Sequence, residues 1–194
     1  MLSVILPVYN EEDTIEHSAK RLEEVLNALD NEYEILFIDD GSKDKTWDNI
    51  LKLSSTNKNI KGLSLSRNFG KERAIHAGLH KAVGDAVIIM DGDLQHPPEV
   101  IPKMVGLWKE TGCDVVNGIK KGRGNEDFIF SFLVNGFYKI YRFATGMQLQ
   151  GASDFKLLNR RVVDVYKLLN ERDLFFRGLI PWLGFSQKNI EFEI

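Results

Sequence analysis

The feature that most constrains this chain is the regular alternation of strand-length runs with segments of helical periodicity. Strands are predicted at Leu2–Val8, Glu34–Ile38, Lys61–Ser66, Ala86–Met90 and Asp114–Ile119. Between them, apolar residues recur at helical spacing over Glu12–Leu29, Lys45–Leu53, Lys71–Ala82 and from Pro97 to Thr111. Strands that alternate with helices of this length predict parallel crossover units, with helices covering both faces of one sheet.

The pattern loosens after residue 119, although nothing in it resembles a linker. Lys120–Asp127 is predicted to be a polar loop, and an aromatic helix is predicted after it. A strand near Asp154–Leu158, a helix near Arg161–Leu169 and a short final strand complete the prediction. We therefore expect one α/β domain over 1–194, with a first half at 1–118 and a second half at 119–194.

Composition excludes several classes of protein. Of the 194 residues, 43% are hydrophobic and 27% are charged, which excludes a disordered chain. No apolar run reaches the roughly 18 residues of a membrane-spanning helix. Met1 leads directly into the first predicted strand, so no signal peptide is expected. The single Cys113 excludes an internal disulfide and favours a reducing, cytoplasmic compartment.

Charge is divided unevenly along the chain. Residues 1–118 hold 13 basic and 20 acidic side chains, a net −7, whereas 119–194 hold 12 and 8, a net +4. The first half is therefore not expected to bind nucleic acid. The second half is suited to an anionic partner such as a membrane surface or a lipid phosphate.

Polar clusters follow three of the predicted strands. Ligands of open α/β sheets bind beyond the carboxyl ends of the strands. The clusters are Pro7-Val8-Tyr9-Asn10-Glu11, Asp39-Asp40-Gly41-Ser42 and Asp91-Gly92-Asp93-Leu94-Gln95. Any one of these carboxylates could instead cap the next helix, but that interpretation does not explain all of them together.

Several carboxylates at one sheet edge need a cation. Two of them about 4 Å apart repel by about 4 kcal/mol at an effective dielectric of 20. Asp91 and Asp93 flank a glycine and can both face a divalent ion, with Gln95 adding an amide oxygen. Oxygen ligands favour Mg²⁺ or Mn²⁺ over zinc. The residues therefore predict a metal-assisted site for a nucleotide diphosphate.

Four blocks in order carry a resemblance to a known family: VILPVYNEE, FIDDGSKDKT, SRNFGKERAIHAGL and VIIMDGDLQHPPEVIPKM. Together they resemble the family 2 glycosyltransferases, and within them the polyprenyl-phosphate hexose synthases, which include bactoprenol glucosyltransferases and dolichol-phosphate mannose synthases. The resemblance covers essentially the whole chain. It implies the Rossmann-like fold called GT-A, with a mostly parallel central sheet.

The resemblance also implies which residues meet the nucleotide-sugar donor. UDP-glucose is the first expectation for that donor and GDP-mannose the second. Pro7, Tyr9 and Glu11 match the block that lines the base and ribose. Asp39 matches a residue that contacts the base, with Asp40 beside it, and Lys71 lies where relatives approach the donor. The remaining matches are to ligands of Mg²⁺ or Mn²⁺ and of the donor diphosphate, namely Asp91, Asp93 and Gln95.

On the acceptor side, the resemblance implies a polyprenyl phosphate. Arg123 and Arg177 match basic positions that could hold its phosphate, whereas relatives have arginine where this chain has Lys120. Asp154 matches a carboxylate near the acceptor, either as a base or as a residue that orients the acceptor. His96 is interpreted as a turn or capping residue.

The aromatic segment 128–143 holds seven aromatic side chains. Packing against the sheet is one interpretation, and contact with the membrane interface or with a second subunit is another. The two are compatible, so a membrane surface and a homo-oligomer are both expected partners. Relatives continue into membrane helices that this sequence lacks, so we expect a soluble fragment acting at the cytoplasmic face of the membrane.

The function expected from the sequence is metal-dependent, inverting transfer of a hexose from a nucleotide sugar to a polyprenyl phosphate. One alternative is a family 2 enzyme acting on a soluble saccharide, which would need Asp154 as a base. Another is a non-catalytic module that binds nucleotide sugars. A nucleotidyltransferase is disfavoured, because no glycine-rich phosphate loop follows the first strand.

Overall fold

The structure, a computed structural model, describes residues 1–92, 96–121, 153–169 and 175–193. The strands in these ranges are β1 Leu2–Val8, β2 Tyr33–Asp39, β3 Ile60–Ser64, β4 Ala86–Ile89, β5 Val115–Lys120, β6 Lys156–Asn159 and β7 Gln187–Phe192. The helices are α1 Ile15–Asn27, α2 Thr46–Thr56, α3 Lys71–Lys81, α4 Ile101–Thr111, α5 Arg160–Lys167 and α6 Phe176–Trp182.

The strands form one sheet in the order β3-β2-β1-β4-β6-β5-β7. The pairs β1–β2, β1–β4, β2–β3 and β5–β7 are parallel. β6 runs antiparallel to both of its neighbours, with Ile89 opposite Lys156 on one side and Asn117 opposite Lys156 on the other. Because β6 is reversed, its amino-terminal end lies at the same edge as the carboxyl ends of β1, β2 and β4.

Apolar side chains fill both faces of the sheet. Successive residues of β1 point to opposite sides, so Val4 and Leu6 belong to one cluster and Ile5 to the other. The first cluster includes apolar residues of α1, α2 and α4, and the second includes those of α3, α5 and α6. All seven residues of β1 are buried, as expected for a central strand covered on both faces.

Within the described residues the predicted strands and helices are present, most of them with bounds that differ by up to three residues. Three differences bear on the fold. The helix predicted from Pro97 begins as a short 3-10 turn at Pro98–Val100, and α4 follows from Ile101. β5 extends to Lys120, where a loop was expected. α6 was not predicted, because Gly178 and Pro181 make its sequence unlike a helix. Residues 122–127 of that loop and the aromatic segment 128–143 lie outside the described residues.

No helix in the described ranges is long and apolar enough to cross a bilayer.

Candidate functional site

The ends of β1, β2 and β4 and the first turn of α3 surround a cleft of about 360 Å³. Six of the residues predicted to bind the donor or the metal line this cleft: Pro7, Tyr9, Glu11, Asp40, Lys71 and Asp91. The structure thus brings together residues from four separate segments of the chain. Three further predicted residues, Asp93, Gln95 and Arg123, lie outside the described residues.

Asp39 differs from the other predicted donor residues in its surroundings. Its side chain is buried and is not among those that line the cleft. It accepts hydrogen bonds from the Ser42 N–H at 3.0 Å and the Ser64 hydroxyl at 2.9 Å. These bonds join the end of β2 to β3 and to the turn that follows β2, so Asp39 stabilises the edge. Its contact with the base stays a prediction.

Asp40 positions the start of α3. Its two carboxylate oxygens accept the Phe69 and Gly70 N–H groups, each at 2.8 Å. The loop lies against Gly41, whose φ is +72° and whose missing Cβ would lie 2.4 Å from the Arg67 carbonyl carbon. Only glycine tolerates both that conformation and that approach. Asp40 and Gly41 therefore hold the loop that presents Lys71.

Lys71 links Asp91, on the predicted donor side of the cleft, to the predicted acceptor carboxylate, Asp154. Its Nζ lies 2.5 Å from Asp91 Oδ1 and 2.7 Å from Asp154 Oδ2. Arg177 contacts the same carboxylate through two nitrogens, with Nε 2.7 Å from Oδ1 and an Nη 2.7 Å from Oδ2. Asp154 is 3% exposed, whereas the side chains of Lys71 and Arg177 are 38% and 46% exposed. A buried carboxylate thus holds two cations that both reach solvent.

These contacts determine the charge state of the site. Burial by itself would raise the pKa of Asp154, but the hydrogen bonds and charges of Arg177 and Lys71 outweigh it and lower the pKa to about 2. For Lys71 the directions are reversed: partial burial by itself would lower the pKa of the ammonium, but its bonds to Asp154 and Asp91 outweigh burial and raise it. At neutral pH the carboxylate is therefore ionised and both cations are charged, which makes Asp154 a poor proton acceptor.

Of the predicted metal ligands, only Asp91 lies in the described part of the chain. His96 Nδ1 accepts the Asp91 N–H at 3.2 Å, and the imidazole stacks on Phe155 with ring centroids 4.9 Å apart. His96 thus has a turn-stabilising role of the kind expected. No three His, Cys, Asp or Glu side chains form a metal-binding group within the described ranges.

Three residues of the site were not predicted. Asn68 lines the cleft. Glu72 accepts the Phe176 N–H at 2.8 Å. Lys156 is buried, donates to Asn117 Oδ1 at 2.6 Å, and has its pKa lowered to about 8 by burial. Asn68 and Glu72 adjoin Gly70 and Lys71 in the block SRNFGKE, so that block could have indicated them. Lys156 lies in a predicted strand, where a buried lysine is unexpected.

The turn after β4 is confined between β1 and α1. A Cβ on Gly92 would lie 2.5 Å from Val8 Cγ1, and the Ser18 hydroxyl donates to the Gly92 carbonyl at 2.7 Å. We expect Gly92→Ala to lower the free energy of unfolding by about 1–3 kcal/mol, since Val8 and Ser18 are both buried and cannot move away from the added methyl group. Urea denaturation measures the change.

Two comparisons test that explanation. In the double variant Val8→Ala/Gly92→Ala the clashing methyl is removed, so the combined loss should be smaller than the sum of the two single losses. Gly106 in α4 is a control, because a Cβ there meets nothing within 4 Å and alanine is the better helix former. Equal losses at Gly92 and Gly106 would refute the steric explanation.

With this geometry established, comparison with known proteins identifies the family. The model of glycosyl transferase family 2 matches residues 3–165. The chain therefore belongs to glycosyl transferase family 2. It is 43% identical over 193 residues to an uncharacterized glycosyltransferase of Synechocystis sp., covering 99% of this chain and 60% of that protein. It is 38% identical over 192 residues to the bactoprenol glucosyl transferase of Shigella phage SfX, covering 98% and 63%.

Solved structures show the same fold at lower identity. One is glucosyl-3-phosphoglycerate synthase from Mycobacterium tuberculosis, in complex with Mn²⁺, UDP and glucosyl-3-phosphoglycerate. It superposes with a TM-score of 0.63 at 21% identity, over 100% of this chain and 70% of that one. The expected GT-A fold is thus confirmed. The chain spans about three fifths of the length of the two curated relatives above.

Proposed function

We propose that this protein transfers a hexose, glucose in the first instance, from a nucleotide sugar to a polyprenyl phosphate at the cytoplasmic face of a membrane. The observation that carries the proposal is the state of Asp154. This carboxylate is buried, is bound by Lys71 and Arg177, and has a pKa of about 2. It holds two exposed cations where an anionic acceptor can approach.

A phosphate acceptor suits this arrangement better than a hydroxyl. The second pKa of a phosphate monoester is about 6, so the acceptor is largely ionised at neutral pH and needs no base. A saccharide hydroxyl must lose a proton during attack, and a carboxylate with a pKa of about 2 is poorly matched to receive it. The geometry therefore favours a phosphate acceptor over a hydroxyl. The names of the bactoprenol glucosyl transferases among the relatives support the same choice.

In this proposal the nucleotide sugar binds in the cleft with its diphosphate toward Asp91. Mg²⁺ or Mn²⁺ is the expected cofactor, held by Asp91 together with Asp93 and Gln95. The carboxylate of Asp91 is partly exposed to the cleft and fits a hard cation, since its Oδ1 already binds the Lys71 ammonium. When bound, such an ion supplies positive charge that stabilises the departing diphosphate. The Mn²⁺ in the similar structure of glucosyl-3-phosphoglycerate synthase from Mycobacterium tuberculosis supports this assignment.

The proposed reaction is a single displacement. An oxygen of the acceptor phosphate attacks the anomeric carbon from the face opposite the diphosphate, and its bond forms as the carbon–oxygen bond to the diphosphate breaks. UDP departs with both electrons of that bond. Because the acceptor attacks from the opposite face, the anomeric configuration inverts. Arg177 and Lys71 hold the acceptor phosphate in line with the donor, and most of the acceleration comes from positioning and electrostatics.

The proposal is tested by incubating the protein with UDP-glucose, undecaprenyl phosphate and Mg²⁺ or Mn²⁺, and by measuring glucosylated lipid. GDP-mannose and a lipid-free saccharide acceptor are run in parallel. We expect lipid-dependent transfer from UDP-glucose, and we expect Asp93→Ala to abolish it while circular dichroism shows a folded protein. Transfer to the saccharide alone, binding of UDP–Mn²⁺ without any transfer, or full activity of the Asp93 variant would contradict the proposal.

A further inference from the structure

The first turn of α3 supplies two adjacent residues that reach in different directions. Lys71 contacts Asp91 and Asp154. Glu72 reaches instead to α6, where its Oε2 accepts the Phe176 N–H at 2.8 Å. Phe176 is the first residue of α6, and Arg177 follows it. One helical turn therefore holds both Asp154 and the helix that carries its other cationic partner.

Among the described residues, α6 supplies no side-chain cap for its own start. The N-cap residue Phe175 makes no side-chain hydrogen bond, and the first turn contains no acidic residue. The exposed N–H groups of a first turn favour a nearby carboxylate. Glu72 supplies that carboxylate from a different helix, so the position of the first turn of α6 depends on α3.

Glu72 is influenced electrostatically by the same charged side chains that form the site, namely Lys71, Asp154 and Arg177. Burial raises its pKa above the usual value, and the negative charge of Asp154 adds to this, while the Phe176 N–H, Arg177 and Lys71 act in the opposite direction. The side chain is partly buried. The Arg177 guanidinium, whose charge acts on Glu72, is itself bound to Asp154 through Nε and an Nη.

We propose that Glu72 is a positioning residue for the acceptor phosphate: by capping α6 it fixes the Arg177 guanidinium in the orientation that receives the phosphate. This inference rests on the proposed function, because it assigns Arg177 to the acceptor. Glu72 itself touches neither the acceptor nor the donor in this scheme. Its effect on the reaction passes through the position of α6.

The test uses Glu72→Ala, Glu72→Gln and a matched control, Glu23→Ala. Glu23 is also partly buried and also accepts a hydrogen bond, from the Asn57 side-chain amide, but it lies on α1. Hydrogen exchange of the ligand-free protein measures the protection of the peptide that contains Phe176. Steady-state kinetics measure KM for undecaprenyl phosphate and for UDP-glucose separately.

For Glu72→Ala we expect faster exchange at the start of α6 and a KM for the lipid raised about tenfold, the size of one lost charge-assisted hydrogen bond, with the donor KM nearly unchanged. Glu72→Gln keeps an oxygen that can accept the Phe176 N–H. It should therefore keep most of the exchange protection, and its KM for the lipid should lie between those of the wild type and Glu72→Ala. Glu23→Ala should change neither quantity.

The outcomes separate the inference from the function it rests on. Unchanged exchange in Glu72→Ala, or equal rises in both KM values, overturns the positioning role while leaving the transfer reaction intact. Absence of lipid transfer by the wild-type protein overturns the proposed function and, with it, the acceptor role of Glu72. In that case the exchange data still show whether Glu72 caps α6.

Discussion

Replacing Arg177 with alanine is expected to lower kcat/KM for the lipid acceptor by about 10²- to 10³-fold, the effect of removing a forked cation from a partly desolvated phosphate site. Arg177 uses Nε and one Nη nitrogen for Asp154, which fixes the plane of the guanidinium and leaves further N–H donors for the acceptor. The measurement is the initial rate over a range of undecaprenyl phosphate concentrations. UDP-glucose affinity should change little.

Two variants accompany Arg177→Ala. Arg177→Lys keeps a positive charge but loses the planar fork, so it should restore only part of the activity. Arg161→Ala is the matched control, since Arg161 also pairs with a buried aspartate, Asp114, and lies away from the cleft. Similar losses of acceptor kcat/KM in Arg161→Ala and Arg177→Ala would indicate a general folding defect and contradict the acceptor role.

Replacing Asp154 with asparagine is expected to lower the free energy of unfolding at pH 7 by about 3 kcal/mol, because two cations lose their buried partner. The folded-state pKa of Asp154, about 2, lies below the ordinary aspartate value of 3.8. The lowered pKa therefore contributes about 2 kcal/mol of stability above the unfolded pKa. That contribution is lost as the pH falls from about 4 toward 2. Urea denaturation at several pH values should show that slope in the wild type and a smaller one in Asp154→Asn.

The same variant separates the two acceptor classes. With a phosphate acceptor, the folded Asp154→Asn protein should lose about tenfold activity or less at pH 7, since no base is removed. A loss of about 10³-fold with normal stability would instead identify Asp154 as a base and favour a hydroxyl acceptor. Asp114→Asn is the control, because Asp114 is also buried and paired with an arginine. It should lower stability without lowering kcat.

Much of the donor side could be predicted from local sequence. Tyr9, Asp40 and Asp91 each follow a strand whose apolar pattern is clear, and parallel strands place their carboxyl ends at one edge of the sheet. Asp39 shows the limit of that argument. It occupies the same kind of position as Asp40, yet its carboxylate is directed to Ser42 and Ser64. Sequence spacing identifies the edge but not the direction of each side chain.

The sequence by itself determined the α/β class, the carboxyl edge as the location of the cleft, and the residue types that are proposed to meet a diphosphate. Only the tertiary structure decided that β6 lies reversed between β4 and β5, which brings Asp154 to Lys71 and places Arg177 and Glu72 beside them. The physical reason is that hydrophobic periodicity reports the conformation and burial of each segment. The pairing of charges from distant segments depends instead on the order of the strands and on the packing of α3 and α6.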